Sequence, residues 1–347
     1  MRKVIRSTVL ALAVTAAVAA AGAVPAFAKD RLNAAMSTTG FAYLPLLVAD
    51  AMGFYGDQNL DVQFTLTGGD SKSMAALVGG GAQVYAGAVS PILRARASGT
   101  EAVAVGAILT QYASNLAMSG EWAKSKGITP ASPVADKIKA LRGATVAITA
   151  PGSGTDHLMR FLAKSAGLDP ERDMTITALG TGETMTAALL QKRIDGFTVS
   201  APAAENAVKN HGAIMLLNFA RAEVKELDGF LYIGFAARES WAKDNPDLLA
   251  RFLKAEQLAL DAIHDPALTA KARDAVWAKY HGKIEKAFYD EVWAGTADAY
   301  PRSVVLRGEQ ISRIVKFVNE FDKQPLDPAA AAKAWTDVYA KKAVALN

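Results

Sequence analysis

Six segments rich in glycine, serine and threonine hold the residues of this chain that could do chemistry. Each stands between an apolar run, typical of a strand, and an amphipathic run, typical of a helix. The first main-chain N–H groups of a helix have no partner within it, so with nearby hydroxyls they can hold an anion or a polar group. The candidate ligand-binding residues in and beside these segments are Thr38, Thr39, Gly40, Phe41, Tyr43, Gly69, Asp70, Ser71, Ser90, Tyr112, Ser153, Gly154, Thr155, Thr181, Gly182, Glu183 and Ser200.

The segment 151–155 gives the sharpest signal, because Gly152 and Gly154 flank Ser153 and a helix cap does not need both glycines. Glycine leaves room for a ligand atom to approach the main chain. We therefore expect the hydroxyls of Ser153 and Thr155 to contact the polar head of a ligand. The structural alternative is that the residues of each segment only cap their own helix.

The charge of these segments limits the class of ligand. Lys72 is their only basic residue, so a multiply charged anion held by arginine clamps is disfavoured. A monoanion or a neutral polar molecule fits better. The aromatic rings of Phe41, Tyr43, Tyr85 and Tyr112 could form an apolar wall for an organic ligand, or they could belong to the core.

The sequence offers poor material for catalysis. The four histidines have no metal-ligand spacing, and Ser200 lacks the glycines of a nucleophile elbow. Asp156, His157 and Glu183 could act as acid or base, but acidic residues are common in the first turn of a helix. The sequence predicts a binding protein with no catalytic residue, metal or cofactor. A secreted enzyme of the lyase or dehydratase type is the alternative.

Two runs of alternating strand and helix patterns position these segments, one over residues 31–97 and one over 141–210. Such alternation predicts parallel β-α-β units with helices packed on a sheet. The two runs match each other at an offset of 112 residues, which indicates two lobes of similar topology, although short amphipathic patterns also recur by chance. The matching segments are Ala75–Val78 with Ala187–Leu190, and Ala82–Tyr85 with Ile194–Phe197.

The last third of the chain, from about Asn245, has the apolar spacing of helices. Asn-Pro and Asp-Pro pairs supply the start signals. The large aromatic residues of this part are expected in the core. The predicted helices are Asp247–Ile263, Leu268–Tyr280, Ile284–Thr296, Arg307–Phe321 and Pro328–Lys342.

The first 28 residues are typical of a secretory signal peptide. A basic start precedes an apolar run, and small residues at Ala26 and Ala28 fit cleavage after Ala28. The apolar run covers about 16 residues, whereas a membrane-spanning helix needs roughly 20, so a retained anchor is the weaker alternative. The chain has no cysteine, which excludes disulfides and a lipidated cysteine anchor. We expect a soluble periplasmic protein that starts at Lys29.

The formal net charge of +4 depends largely on the basic residues of the signal. The mature chain would be almost neutral, so nucleic acid is not implied as a partner.

Several motifs in a fixed order resemble those of one family. They are the segment 43–55 followed by 59–62, then Gly68-Gly69 before Ala76-Leu77, then 141–143 before 151–155, and finally 193–197. With these motifs the chain resembles the nitrate/sulfonate/bicarbonate family of ABC-transporter substrate-binding proteins. That family includes aliphatic-sulfonate and taurine binders and is similar to the thiamine-pyrimidine-synthase-like group.

The resemblance implies an α/β protein with the two-lobed periplasmic-binding-protein fold of type II. Two doubly wound sheets would enclose a ligand cleft, with C-terminal helices. The first lobe would comprise residues 29–110 and 229–347, and the second residues 111–228. The partners would be a small-molecule ligand and the permease subunits of an ABC transporter in the inner membrane, and the protein would be a monomer. Gln83 and Lys192 depart from the family pattern at turns away from the cleft, and the resemblance does not name the ligand.

Overall fold

The computed structural model describes residues 28–346. The predicted signal peptide ends at Ala28, so it lies almost wholly outside the described residues. From Arg31 onward the described residues form one unit built on two five-stranded sheets. Among the described helices, none is both long and apolar enough to cross a membrane.

The first sheet has the strand order β2-β1-β3-β10-β4. β1 and β3 are parallel, as the predicted β-α-β unit requires, whereas β10 runs antiparallel to β3 and β4. We call this sheet and the elements packed on it the first lobe. Its strands are β1 (Asp30–Met36), β2 (Leu60–Leu66), β3 (Val84–Ala88), β4 (Ala102–Leu109) and β10 (Ile233–Arg238).

The second sheet has the order β7-β6-β8-β5-β9 and forms the second lobe. β6 is parallel to β7 and β8, while β5 is antiparallel to β8 and β9. Both sheets are therefore mixed. The antiparallel strand is β10 in the first sheet and β5 in the second, and each is the first strand that the chain forms after it passes from the other sheet. The strands are β5 (Ser114–Ser119), β6 (Thr145–Ile148), β7 (Thr175–Ala178), β8 (Gly196–Ser200) and β9 (Ala213–Leu217).

The two lobes repeat the same local structure at the offset found in the sequence. Ala34 of β1 pairs with Val84 of β3 in the first lobe. Val146 of β6 pairs with Gly196 of β8 in the second, and each partner lies 112 positions beyond its counterpart. The helices that precede β3 and β8 also begin and end at this offset.

Six of the helices between the strands begin at or just after the polar segments and lie near their predicted positions, whereas Phe54–Asp57, Gly120–Lys126 and Val134–Lys139 lie outside the predicted helices. The chain order is α1 (Leu44–Ala51), α2 (Phe54–Asp57), α3 (Asp70–Val78), α4 (Val89–Ala97), α5 (Gly120–Lys126), α6 (Val134–Lys139), α7 (Gly154–Ser165), α8 (Gly182–Leu190) and α9 (Ala203–Asn210).

The C-terminal part is helical as predicted, with one correction. The single helix predicted over Pro328–Lys342 ends at Ala332, because Trp335 forms a bridge with Ala104 of β4. The Ala104 N–H donates to the Ala334 carbonyl at 2.8 Å, which uses the main chain that a continuous helix would need. The helices are α10 (Glu239–Asp244), α11 (Pro246–His264), α12 (Thr269–Val276), a π-helical turn (Trp277–His281), α13 (Lys286–Thr296), α14 (Gly308–Phe321), α15 (Pro328–Ala332) and α16 (Val338–Ala345).

Candidate functional site

A small cavity lies between the two lobes. Ser37 follows β1, Thr149 follows β6 and Ser200 ends β8, so the wall is built at the carboxyl ends of parallel strands, where α/β proteins bind ligands. The volume is about 20 Å³, which is room for about one water molecule. The lining residues are Ser37, Thr38, Ala42, Tyr43, Asp70, Ser114, Thr149, Thr155, Val199, Ser200 and Tyr232.

Five of these lining residues were predicted from the sequence, namely Thr38, Tyr43, Asp70, Thr155 and Ser200. The other predicted residues do not line the cavity. They are Thr39, Gly40, Phe41, Gly69, Ser71, Ser90, Tyr112, Ser153, Gly154, Thr181, Gly182 and Glu183.

Asp70 joins the two lobes. Its carboxylate accepts a hydrogen bond from the Tyr43 hydroxyl at 2.9 Å and another from the Gly154 main-chain N–H at 3.0 Å. The residue is only 4% exposed, and burial raises the pKa of its carboxyl group, while the bonds from Gly154 and Tyr43 oppose that rise. Although Asp70 begins α3, its side chain does not cap α3. It bonds instead to the first residue of α7 in the other lobe.

Two of the predicted glycines are needed by the contact between the lobes. A Cβ atom at Gly154 would lie 2.6 Å from Cε2 of Tyr232, and one at Gly69 would lie 2.5 Å from Cβ of Ala150. Real Cβ atoms do not come this close to other atoms, so side chains here would force the lobes apart. The sequence predicts that Gly154 leaves room for a ligand, but in this structure the Tyr232 ring fills that space.

The loop before α1 makes a third contact across the lobes. The Phe41 N–H donates to the Ala201 carbonyl at 2.8 Å, and a Cβ atom at Gly40 would lie 2.6 Å from the Ser200 hydroxyl. The Phe41 ring itself points away from the cavity wall, into an aromatic cluster with Tyr289. Phe41 therefore belongs to the core through its ring and to the lobe contact through its main chain.

Three hydroxyl groups at the start of α7 bond to one another. Thr149 Oγ1 lies 3.0 Å from Ser153 Oγ and 2.9 Å from Thr155 Oγ1, and the two latter atoms are 2.9 Å apart. Ser153 is fully buried and also accepts from the Asp156 N–H as the cap of α7. The expectation that Ser153 and Thr155 contact a ligand stays a prediction. In this structure only Thr155 reaches the wall, while the Ser153 hydroxyl is used inside the protein.

Tyr232 is the main wall residue that the sequence analysis missed. Its ring stacks on Tyr112 with the ring centroids 3.9 Å apart, and its hydroxyl lies 2.8 Å from Ser114 Oγ. The Tyr112 hydroxyl donates to the Gly154 carbonyl. Burial raises the pKa of both tyrosines, so both stay neutral. Tyr232 lies in an apolar run just before β10. The only sign of it in the sequence was a tyrosine among apolar residues.

Ser37 supplies a buried lining hydroxyl that has no hydrogen-bond partner among the described residues. The residue is 4% exposed and its Oγ atom is buried. A buried hydroxyl normally has a partner, since leaving one unpaired costs about 1–3 kcal/mol. The Ser37 hydroxyl is therefore available to a molecule in the cavity.

The three acid or base candidates lie outside the cavity wall. Asp156 pairs with Arg160 at 2.8 Å and accepts from a main-chain N–H, and Glu183 is exposed in the first turn of α8. His157 Nδ1 lies 2.8 Å from the Ser90 hydroxyl of the other lobe, and burial lowers the pKa of His157 to about 4. These three side chains therefore serve helix starts and the lobe contact.

Thr181 also has a local role, because its hydroxyl accepts from the Thr184 N–H as the cap of α8.

Within residues 28–346, no group of three or more His, Asp or Glu residues could hold a metal ion.

Comparisons with known proteins agree with this architecture. No curated protein matches the chain. A solved structure from Bordetella bronchiseptica RB50 is similar with a TM-score of 0.78 and 24% identity, over 91% of this chain and 97% of that one.

Two further similar structures are binding proteins. The alkanesulfonate-binding protein SsuA from Xanthomonas axonopodis pv. citri, bound to MOPS, has a TM-score of 0.69 and 16% identity over 89% of this chain and 98% of that one. The periplasmic nitrate-binding protein NrtA from Synechocystis PCC 6803 has a TM-score of 0.70 and 16% identity over 90% of this chain and 88% of that one. These likenesses show the fold.

The family model for the NMT1-like family matches residues 35–277, which is more than half of the chain and includes every residue of the cavity wall. The chain belongs to the NMT1-like family.

Proposed function

We propose that this chain is a periplasmic solute-binding protein that captures one small polar solute between its lobes and delivers it to an ABC importer. The observation that carries the proposal is the cavity at the strand ends, whose wall combines residues of both lobes with the unpartnered Ser37 hydroxyl. A site assembled from two lobes exists only while they are closed, so binding and closure are coupled. The sulfonate- and nitrate-binding proteins with this fold support the same role.

The lobes of the proposed binding protein are residues 29–110 with 229–347, and residues 111–228. A cavity of about 20 Å³ is too small for an organic solute. The structure therefore corresponds to a closed state, and the lobes must separate before a solute enters.

A ligand screen tests the function. The purified mature chain is mixed with alkanesulfonates, nitrate, pyrimidines, amines and aromatic acids, and its melting temperature is measured. One compound class is expected to raise the melting temperature, and native mass spectrometry should recover that compound unchanged with one copy per chain. Recovery of a converted product would indicate the enzyme alternative. If no compound in a broad solute library binds, the proposal fails.

Closure can be measured directly because the chain has no cysteine. Leu66 at the end of β2 and Leu190 at the end of α8 are exposed and lie on different lobes, so the double variant Leu66→Cys, Leu190→Cys takes one spin label on each. We expect a broad distance distribution without ligand and a single shorter distance with it. An unchanged distribution with a compound that binds would contradict capture between the lobes.

Export is tested by expressing the full chain and sequencing the protein recovered from the periplasm. The expected mature N-terminus is Lys29. A protein that keeps its first residues and stays with the membrane fraction would contradict the soluble periplasmic assignment.

A further inference from the structure

We infer that the solute presents an N–H donor to Asp70, as an amine, an amidine or an aminated heterocycle does, and that the site is not built for an oxyanion. This inference rests on the proposed function. It departs from the expectation drawn from the sequence, which was a monoanion or a neutral polar molecule, because amines and amidines are cations at neutral pH.

The position where an oxyanion would normally bind is already occupied. The start of a helix such as α7, with twelve residues, is where an oxyanion would normally bind, through free main-chain N–H groups. Here the Gly154 N–H at this start donates to the carboxylate of Asp70 at 3.0 Å. A sulfonate or nitrate would have to displace that carboxylate or lie beside a like charge, which is unfavourable in a buried site.

The charge of the cavity wall also favours a donor over an oxyanion. Asp70 is the one acidic residue among the described lining residues, and those residues include no Lys, Arg or His. Buried charges in proteins are normally paired, but the neighbours that act on Asp70 are Tyr43 and main-chain groups, not a cation. A ligand that brings a positive charge or an N–H group supplies the missing partner.

The start of α3 does not itself need the Asp70 carboxylate. At the equivalent position of the second lobe, α8 begins with Gly182, and its cap is the Thr181 hydroxyl. In α3 the Asp70 side chain makes no capping bond to its own helix. Instead, Oδ2 of Asp70 accepts from the Gly154 N–H of the other lobe and Oδ1 accepts from the Tyr43 hydroxyl, and both Asp70 and Tyr43 line the cavity.

The unpartnered Ser37 hydroxyl is an independent sign of a ligand in the same cavity. It is 4% exposed and has no hydrogen-bond partner among the described residues. A hydroxyl accepts as well as donates, so Ser37 and Asp70 offer two acceptors to one N–H-bearing group. Tyr43 and Tyr232 add the aromatic surface on which a cation or a flat heterocycle can lie.

The test uses two sets of probes that differ in the polar group. The donor set is benzylamine, benzamidine and 4-aminopyrimidine, and the oxyanion set is nitrate, ethanesulfonate and benzenesulfonate. Calorimetry on the wild-type chain is expected to show at least one donor probe binding ten-fold or more tightly than every oxyanion. In Asp70→Asn the same probe should bind at least ten-fold more weakly, because the amide keeps the shape but lacks the charge.

Asp57→Asn is the matched control, since it removes the same charge from an exposed position of the first lobe and should leave affinity unchanged. Circular dichroism and the melting temperature show whether Asp70→Asn is folded, and Asp70→Ser is the second variant if it is not. Tight binding of an oxyanion to the wild-type chain, or unchanged donor binding in both Asp70 variants, overturns the inference and leaves the solute-binding function standing. Absence of binding for every probe and for the broad library overturns both.

Discussion

The two lobes share one scaffold but differ in the chemistry that they bring to the cavity. Some residues that are 112 positions apart line the cavity from opposite lobes. Ser37 corresponds in this way to Thr149, and Tyr43 corresponds to Thr155. The charge is not repeated, because Asp70 in the first lobe corresponds to Gly182 in the second. The comparison shows that a repeated fold fixes where wall residues stand, whereas single substitutions within the repeat decide what the wall can bind.

The largest effect is expected at Gly154, whose counterpart in the first lobe is Ala42. Gly154→Val should lower the free energy of unfolding by about 3 kcal/mol, because its side chain would overlap the Tyr232 ring. It should also abolish ligand binding, since the lobes could not close. Urea unfolding and calorimetry measure the two effects. Ala42→Gly is the control and should lower the free energy of unfolding by about 1 kcal/mol or less. Equal losses of this free energy in the two variants would show that the lobes meet symmetrically.

A pH effect is expected from His157, whose counterpart in the first lobe is Pro45 and cannot titrate. Burial lowers the pKa of His157 to about 4, below the usual 6.5. The imidazole of His157 therefore binds a proton less readily in the folded state than in the unfolded state. The stabilisation of the fold that depends on neutral His157 is present above pH 6.5 and is lost as the pH falls to 4. Between pH 7 and pH 4 the free energy of unfolding should therefore fall less in His157→Gln than in the wild type. The two decreases should differ by about 2–3 kcal/mol.

Urea unfolding at pH 4 and pH 7 measures the difference for His157. His211→Gln is the control, since it makes the same exchange at an exposed histidine of the second lobe. The assignment fails if the His157 and His211 variants have the same pH dependence.

A smaller difference is expected between two helix caps of the second lobe. Ser153 caps α7 and bonds to the Thr149 and Thr155 hydroxyls, whereas Thr181 caps the more exposed start of α8. Ser153→Ala should cost about 1–2 kcal/mol and Thr181→Ala about 0.5–1 kcal/mol. Thermal or urea unfolding measures both. A larger cost for Thr181→Ala would mean that the hydroxyl cluster contributes little.

The smallest effect concerns a single hydrogen bond between the lobes. Tyr232→Phe removes the hydroxyl that lies 2.8 Å from Ser114 Oγ, and should lower the free energy of unfolding by about 0.5–1.5 kcal/mol. Ser114→Ala and the double variant complete a mutant cycle. The two changes should be non-additive by about the same amount, and full additivity would show that the bond does not form in solution.

The sequence by itself determined the local structure of both lobes. Alternation of apolar runs and amphipathic runs predicted the β-α-β units, because side-chain periodicity depends on the secondary structure of the segment itself. The 112-residue offset appeared in Ala75–Val78 and Ala187–Leu190, and the strand registers carry the same offset. Five wall residues were also predicted, since a polar residue at a strand end lies near the ligand site of any such sheet.

Only the tertiary structure decided which polar groups remain free for a ligand. Ser153 and Ser37 are both serines at helix starts or strand ends, yet the Ser153 hydroxyl is bonded within its loop and the Ser37 hydroxyl has no partner among the described residues. Asp70 resembled an ordinary helix cap, but its carboxylate bonds to the other lobe. These outcomes depend on contacts between residues far apart in the chain, and no local pattern records such contacts. The break of the last predicted helix at Trp335 has the same cause, because β4 competes for its main chain.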